Sequence, residues 1–254
     1  GGGGGYGSSL DFSIDTDELG NVIDNMKNEL DAANTAMLNA FAVLKNLPSV
    51  GAWGGSAYSM FWGKCVERKS AFITYLNFIG TFINDLNNVL ITCSDCDIEG
   101  NIKKACRGVS PSGEVSLSSS SNLGNYEYPH DEQAADSEQI ESSKVTEIYN
   151  QTGLETAISQ ITSFFNDFCD CNKNLAEIVA NNIAVNDGAL YGTGASSMKS
   201  AWDKHIKGMK NLEEGIAAIN FNMNMAFNNA AVTDQEIADA FGAIKVVYDG
   251  GESK

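Results

Sequence analysis

A set of apolar positions in the first half of the chain returns in the second half. Ile23, Met26, Leu30, Ala33, Met37 and Ala40 recur 138 residues later as Ile161, Phe164, Phe168, Cys171, Leu175 and Ile178, without a gap. The steps alternate between three and four residues, the seam of a helix that packs along another helix. The joint after each helix repeats too. Trp53, Gly54, Ala57, Ser59 and Met60 fall on Tyr191, Gly192, Ala195, Ser197 and Met198. Beyond the joint the second-helix seams fit better one residue out of this alignment. A repeat of this size reads as a duplicated helical hairpin. One hairpin buries little by itself, whereas two packed face to face cover each other's seams. The expected fold is therefore all-α: two helical hairpins packed antiparallel as a single-chain four-helix bundle, a pseudo-dimer, plus a short C-terminal helix.

Local signals place the elements. The first helix is expected over about 15–47, with Asp15 and Glu18 as a capping box, and Pro48 ends it. The second runs over about 56–92 with the seam Phe72, Tyr75, Ile79, Phe82, Leu86 and Val89. The third starts near Ser143 or Thr152 and reaches about Val185. The fourth carries Met198, Trp202, His205, Met209, Leu212, Ile216, Ile219 and Met223 on one stripe. Thr233 and Glu236 form a T-x-x-E box for a C-terminal helix ending near Val247. Residues 94–145 are rich in Ser, acids and turn formers and read as a largely disordered linker. The organisation is a Gly-rich tail (1–14), a first hairpin (15–93), the linker (94–145), a second hairpin (146–247) and a C-terminal tail (248–254).

Charge and composition narrow the function. A formal net charge of −17 argues against partners bound through a basic face, so no nucleic acid is expected. The opening GGGGGYGSS has neither a charged n-region nor an apolar h-region, so no cleavable signal peptide is expected there. The six cysteines do not complete a paired four-ligand zinc set with His130 or His205. Cys171 falls on the third-helix seam and reads as a packing thiol. A disulfide among Cys93, Cys96 and Cys106 is open if the protein leaves the cell. GGGGG at 1–5 follows no strand, so it is no phosphate loop, and His205 sits on an apolar seam as a core histidine. No catalytic residue, metal or cofactor is assigned, and the chain is not expected to be an enzyme.

The joint itself, AWGGSAYSM (52–60), puts a tryptophan against two glycines between two helices. The glycines permit a sharp turn, and the indole covers apolar area with its N–H within reach of water or a partner. Trp53-Gly54-Gly55 between two long helices resembles the WXG-100 (ESAT-like) family of small secreted helical proteins. Those are substrates of the type VII (ESX) secretion system. The second joint, Tyr191-Gly192-Thr193 with Gly194 one place late, is a degenerate copy. The family's second motif, Y-x-x-x-[D/E] after a C-terminal helix, is matched by Tyr248-Asp249-Gly250-Gly251-Glu252. A further match, Tyr128 to Glu132, contains Pro129 and lies in the linker.

The resemblance covers both helical halves and implies a mechanism. Family members pair as antiparallel hairpins. W-x-G of one and Y-x-x-x-[D/E] of the other then make a composite export signal for a membrane-bound ATPase. In this chain Trp53, Gly54 and Gly55 would come from repeat one, and Tyr248 and Glu252 from repeat two. The expected function is a secreted, non-catalytic substrate, effector or adaptor. Its partners would be the secretion ATPase and either another helical hairpin protein or a co-secreted cargo. Its location would be outside the cell or on its surface, by a signal-peptide-independent route. Two alternatives stand beside it: a membrane-active protein inserting AFITYLNFIGTFI (71–83), and a cytoplasmic helical scaffold.

Overall fold

The computed structural model describes residues 12–96 and 147–243. The linker expected over 94–145, apart from its first residues, and the tail with Tyr248 and Glu252 lie outside the described residues. The described chain is mostly helical, with two small antiparallel strand pairs. In chain order it runs β1 (Phe12–Ile14), α1 (Thr16–Lys45), β2 (Trp53–Gly54), α2 (Ser56–Cys96) and β3 (Ile148–Tyr149). Then follow α3 (Gln151–Asn182), β4 (Leu190–Gly192), α4 (Thr193–Ile206), α5 (Met209–Asn228) and α6 (Asp234–Ala243).

The helix starts follow their capping chemistry. The Glu18 amide donates to Asp15 Oδ1 at 3.0 Å ahead of α1, and the Gly153 amide donates to Asn150 Oδ1 at 3.0 Å ahead of α3. Each satisfies a donor that the first turn leaves orphaned. Before α6 the box is reciprocal: Thr233 N donates to Glu236 Oε2 at 2.8 Å, and Glu236 N donates to Thr233 Oγ1 at 3.2 Å. The expected fourth helix is broken. The Gly208 amide bonds back to His205 O at 2.9 Å, a three-residue step that tightens the turn and separates α4 from α5. Glycine is the weakest helix former present there, which is why the break falls at that position.

Contacts divide the chain into two compact units, to each of which α1, α2 and α3 contribute a segment. The first takes in residues 12–29, 80–96 and 174–203. It holds the β1–β4 pair, and its buried residues include Ile14, Leu19, Met26, Leu86, Val179 and Leu190. Phe82 and Trp202 meet there with ring centroids 4.8 Å apart. The second takes in residues 30–79, 147–173 and 204–243. Its centre is aromatic. Phe41 meets Phe72 edge-on at 5.5 Å and Phe165 at 5.9 Å, and Phe72 meets Phe168 at 5.1 Å. Each such side chain contributes about 1.5–3 kcal/mol on full burial.

The α1 seam is buried as the periodicity requires, from Ile23 to Leu47. The α3 seam is corrected. Its buried positions are Leu154, Ala157, Ile161, Phe165, Phe168, Asn172, Leu175, Val179 and Ile183, while Phe164, Cys171 and Ile178 are half-buried. That run averages about 3.6 residues per step, the pitch of a straight helix. A strict seven-residue seam drifts off it by about 20° per heptad. Cys171 is therefore not a core thiol, and Asn172 takes the inward position. In α2 the last seam residue shifts in the same way, from Val89 to Leu90. His205 is a core histidine, 2% exposed. Its Nε2 lies 2.9 Å from the Tyr75 carbonyl, and its ring stacks on Phe78 at 3.8 Å and Tyr75 at 4.5 Å.

Candidate functional site

The site builds outward from the end of α1. The last carbonyls of a helix have no partner within it. Here the hydroxyl of Tyr58 lies 2.9 Å from Leu44 O and 2.8 Å from Lys45 O, and so caps α1 from the first turn of α2. Burial pushes the Tyr58 phenol well above its ordinary range, with the nearby Cys65 acting in the same direction. The chain then reverses through Gly51, whose amide donates to Pro48 O at 3.0 Å, and Ala52, whose amide donates to Leu47 O at 2.9 Å.

Trp53 packs edge-on against Tyr58 at 5.7 Å and at a tilt against Phe61 at 5.1 Å. It is 3% exposed and forms a wall of the turn. The reason lies in β3. Residues just ahead of α3 pair antiparallel with the turn, Tyr149 with Trp53 and Ile148 with Gly54. The Asn150 amide adds a bond to Ala52 O at 2.9 Å. Gly55 sits at φ +111°, and a Cβ there would stand 2.5 Å from the Glu147 carboxyl group. The positive φ is what requires glycine there.

The C-terminal helix α6 reaches the same turn. Ser56 Oγ donates to Asp234 Oδ1 at 2.8 Å. Phe241 packs on Phe61 at 6.0 Å, and the Arg68 guanidinium donates to Phe241 O at 3.4 Å while lying 5.9 Å over its ring. The end of α5 is tied to β3 and the start of α3: Tyr149 Oη and Gln151 Nε2 both donate to Phe227 O, at 2.8 and 3.1 Å. α6 thus meets the first turns of α2, which begin directly after Trp53, Gly54 and Gly55. Tyr248, five residues beyond the last described residue Ala243, and Glu252 lie outside the described residues.

The second turn is built the same way, in a register that the alignment at 138 residues misses. β1 pairs with β4: Ile14 with Leu190, Ser13 with Tyr191 and Phe12 with Gly192. The Asp15 amide donates to Ala189 O at 3.0 Å, as Asn150 does to Ala52. These matched bonds make Leu190 the counterpart of Trp53 and Gly192, at φ +131°, the counterpart of Gly55. Tyr191 is therefore not the second turn's tryptophan, and is half-buried, while Leu190 is buried at 1% exposure. Gly194 lies inside α4 in open space and has no part in the turn. Over α1 and α3 the offset is 135: Leu19, Met26, Leu30, Ala33 and Ala40 match Leu154, Ile161, Phe165, Phe168 and Leu175, all buried. A shift of three residues turns a helix by about 300°, so both registers keep nearly the same face.

Sequence reasoning missed β1 and β3. The signal was present as Ser-Ile-Asp (13–15) and Ile-Tyr-Asn (148–150), each a β-forming residue before an Asx helix cap. Among the described residues no group of three or more His, Cys, Asp or Glu side chains is placed to hold a metal ion. Compared with family models, curated proteins and solved structures, the chain gave no match.

Proposed function

We propose that this chain is a non-catalytic substrate, effector or adaptor of a type VII secretion system, with its two hairpins packed as a single-chain four-helix bundle. One observation carries the reading. The C-terminal helix of repeat two docks on the start of α2, next to the Trp-Gly turn of repeat one, through Ser56–Asp234 and Phe61–Phe241. Tyr248 and Glu252 follow Phe241 in sequence by seven and eleven residues. A composite signal needs its two parts delivered to one place, and this docking supports that. Trp53, being buried, would act by holding the turn, with the tail as the part read directly by the secretion ATPase. The membrane-active alternative gains no support from residues 71–83, whose Phe72, Tyr75, Leu76, Ile79, Phe82 and Ile83 are all buried.

Export tests the proposal. The chain and a Tyr248→Ala/Glu252→Ala double variant are expressed in a host with a working type VII system, and supernatant is compared with pellet. The wild type is expected outside and the folded variant inside. Equal export of both, or export of neither, overturns the reading.

A further inference from the structure

The repeat supplies its own control for a surface. In the second unit, α1 and α3 form the walls of an open groove of about 610 Å³. One wall presents Asn39, Ala42, Val43 and Asn46, and the facing wall includes Gln160 and Phe164. In the first unit the same two helices form a groove of about 460 Å³. The 135-residue offset carries these four residues onto Asn174, Glu177, Ile178 and Asn181, all of which line that second groove. It likewise relates Asn25 and Glu29 there to Gln160 and Phe164. Two equivalent troughs have thus been surfaced differently. Where one has Glu177 and Glu29, with Glu29 accepting from Asn174 Nδ2 at 3.3 Å, the other has Ala42 and Phe164.

The larger groove is lined by no charged residue, in a chain with a formal net charge of −17. At its edge stands Val50, 71% exposed. One wall runs from Asn39 at the end of α1 into the turn at Val50, and the α3 wall recurs at three- and four-residue steps from 153 to 164. Parallel ridges of that spacing accept a helix laid between them. An uncharged floor lets such a helix bury an apolar stripe without stranding an ion. The strongly acidic chain draws cationic flanks and repels a second copy of itself.

We propose that this groove docks an amphipathic helix of a partner protein, with a small-aliphatic stripe on the floor and lysine or arginine along its flanks. The groove spans about three helical turns, so a peptide of about 16 residues suffices as a probe. The test uses the full chain and a fluorescein-labelled helical peptide with an Ala/Leu stripe flanked by lysines, read by anisotropy at about 0.15 M salt. A second peptide carries glutamates in place of the lysines. The variant is Ala42→Glu/Phe164→Glu, which gives the groove its equivalent's two carboxylates at positions that are exposed and half-buried. The wild type is expected to bind the lysine-flanked peptide at least ten-fold more tightly than either the glutamate-flanked peptide or the variant binds. The variant's melting temperature is expected to stay unchanged. Two added acids would strengthen a purely ionic attraction, so a variant that binds the cationic peptide equally or more tightly overturns the proposal. A wild-type dimer in sedimentation that the double substitution dissolves also overturns it, because the occupant is then a second copy.

Discussion

Replacing Gly55 by alanine tests the turn register directly. At φ +111° an L-residue is strained whatever space surrounds it, at a cost on the order of 1–3 kcal/mol. The new Cβ would also meet the Glu147 carboxyl at 2.5 Å. That clash falls on the end of an exposed side chain, which can swing away, so the backbone strain dominates. Taking about 2 kcal/mol, and about 2–4 °C per kcal/mol for a chain of this size, the melting temperature should fall by about 4–8 °C. The assay is urea unfolding followed by circular dichroism, with thermal melts alongside. A Gly55→Ala/Glu147→Ala double variant should recover only a small part of the loss. Gly192→Ala, at φ +131°, should cost about the same as Gly55→Ala, on the order of 1–3 kcal/mol. Gly194→Ala, in open space in the first turn of α4, should be neutral or stabilising by up to about 1 kcal/mol. A Gly55→Ala midpoint equal to wild type would refute the argument. So would full recovery in the double variant, which would assign the cost to the clash.

Tyr58→Phe removes the hydroxyl at Leu44 O and Lys45 O and should cost about 1–3 kcal/mol, with faster amide exchange at the end of α1. An unchanged urea midpoint would show that water caps those carbonyls equally well. Burial pulls His205 down from 6.5 to about 4, against a smaller upward pull from its bond to the Tyr75 carbonyl. The folded state therefore favours the neutral ring. Its contribution is complete above about pH 6.5 and is lost as pH falls from there towards 4, amounting to about 2 kcal/mol between pH 7 and 5. His205→Gln should remove that slope. Identical pH dependence in both proteins, measured by urea midpoints, would show that the imidazole protonates without strain.

The faces of the helices were legible in the sequence because burial follows helical periodicity. Ile23 to Leu47 in α1, and Phe72 to Leu86 in α2, are buried where their spacing puts them. Caps at Asp15 and at Thr233/Glu236 were legible for the same local reason, since each contact spans three residues. Of the candidate site, the Trp-Gly turn could be located but its surroundings could not. Glu147, Tyr149, Asp234 and Phe241 are far from residues 53–55 in sequence, and no local pattern says that they converge on that turn.

By itself, then, the sequence determined a duplicated set of helices and which side of each helix faces inward. Only the tertiary structure decided the register between the copies. A helix face repeats nearly as well after three residues as after none, so periodicity tolerates an offset of 138 where the buried positions require 135. Backbone hydrogen bonds have no such tolerance. The pairing of β1 with β4 and of β3 with β2 sets Gly192 opposite Phe12 and Trp53 opposite Tyr149. A one-residue slip there would break every bond in the ladder and turn its side chains to the other face.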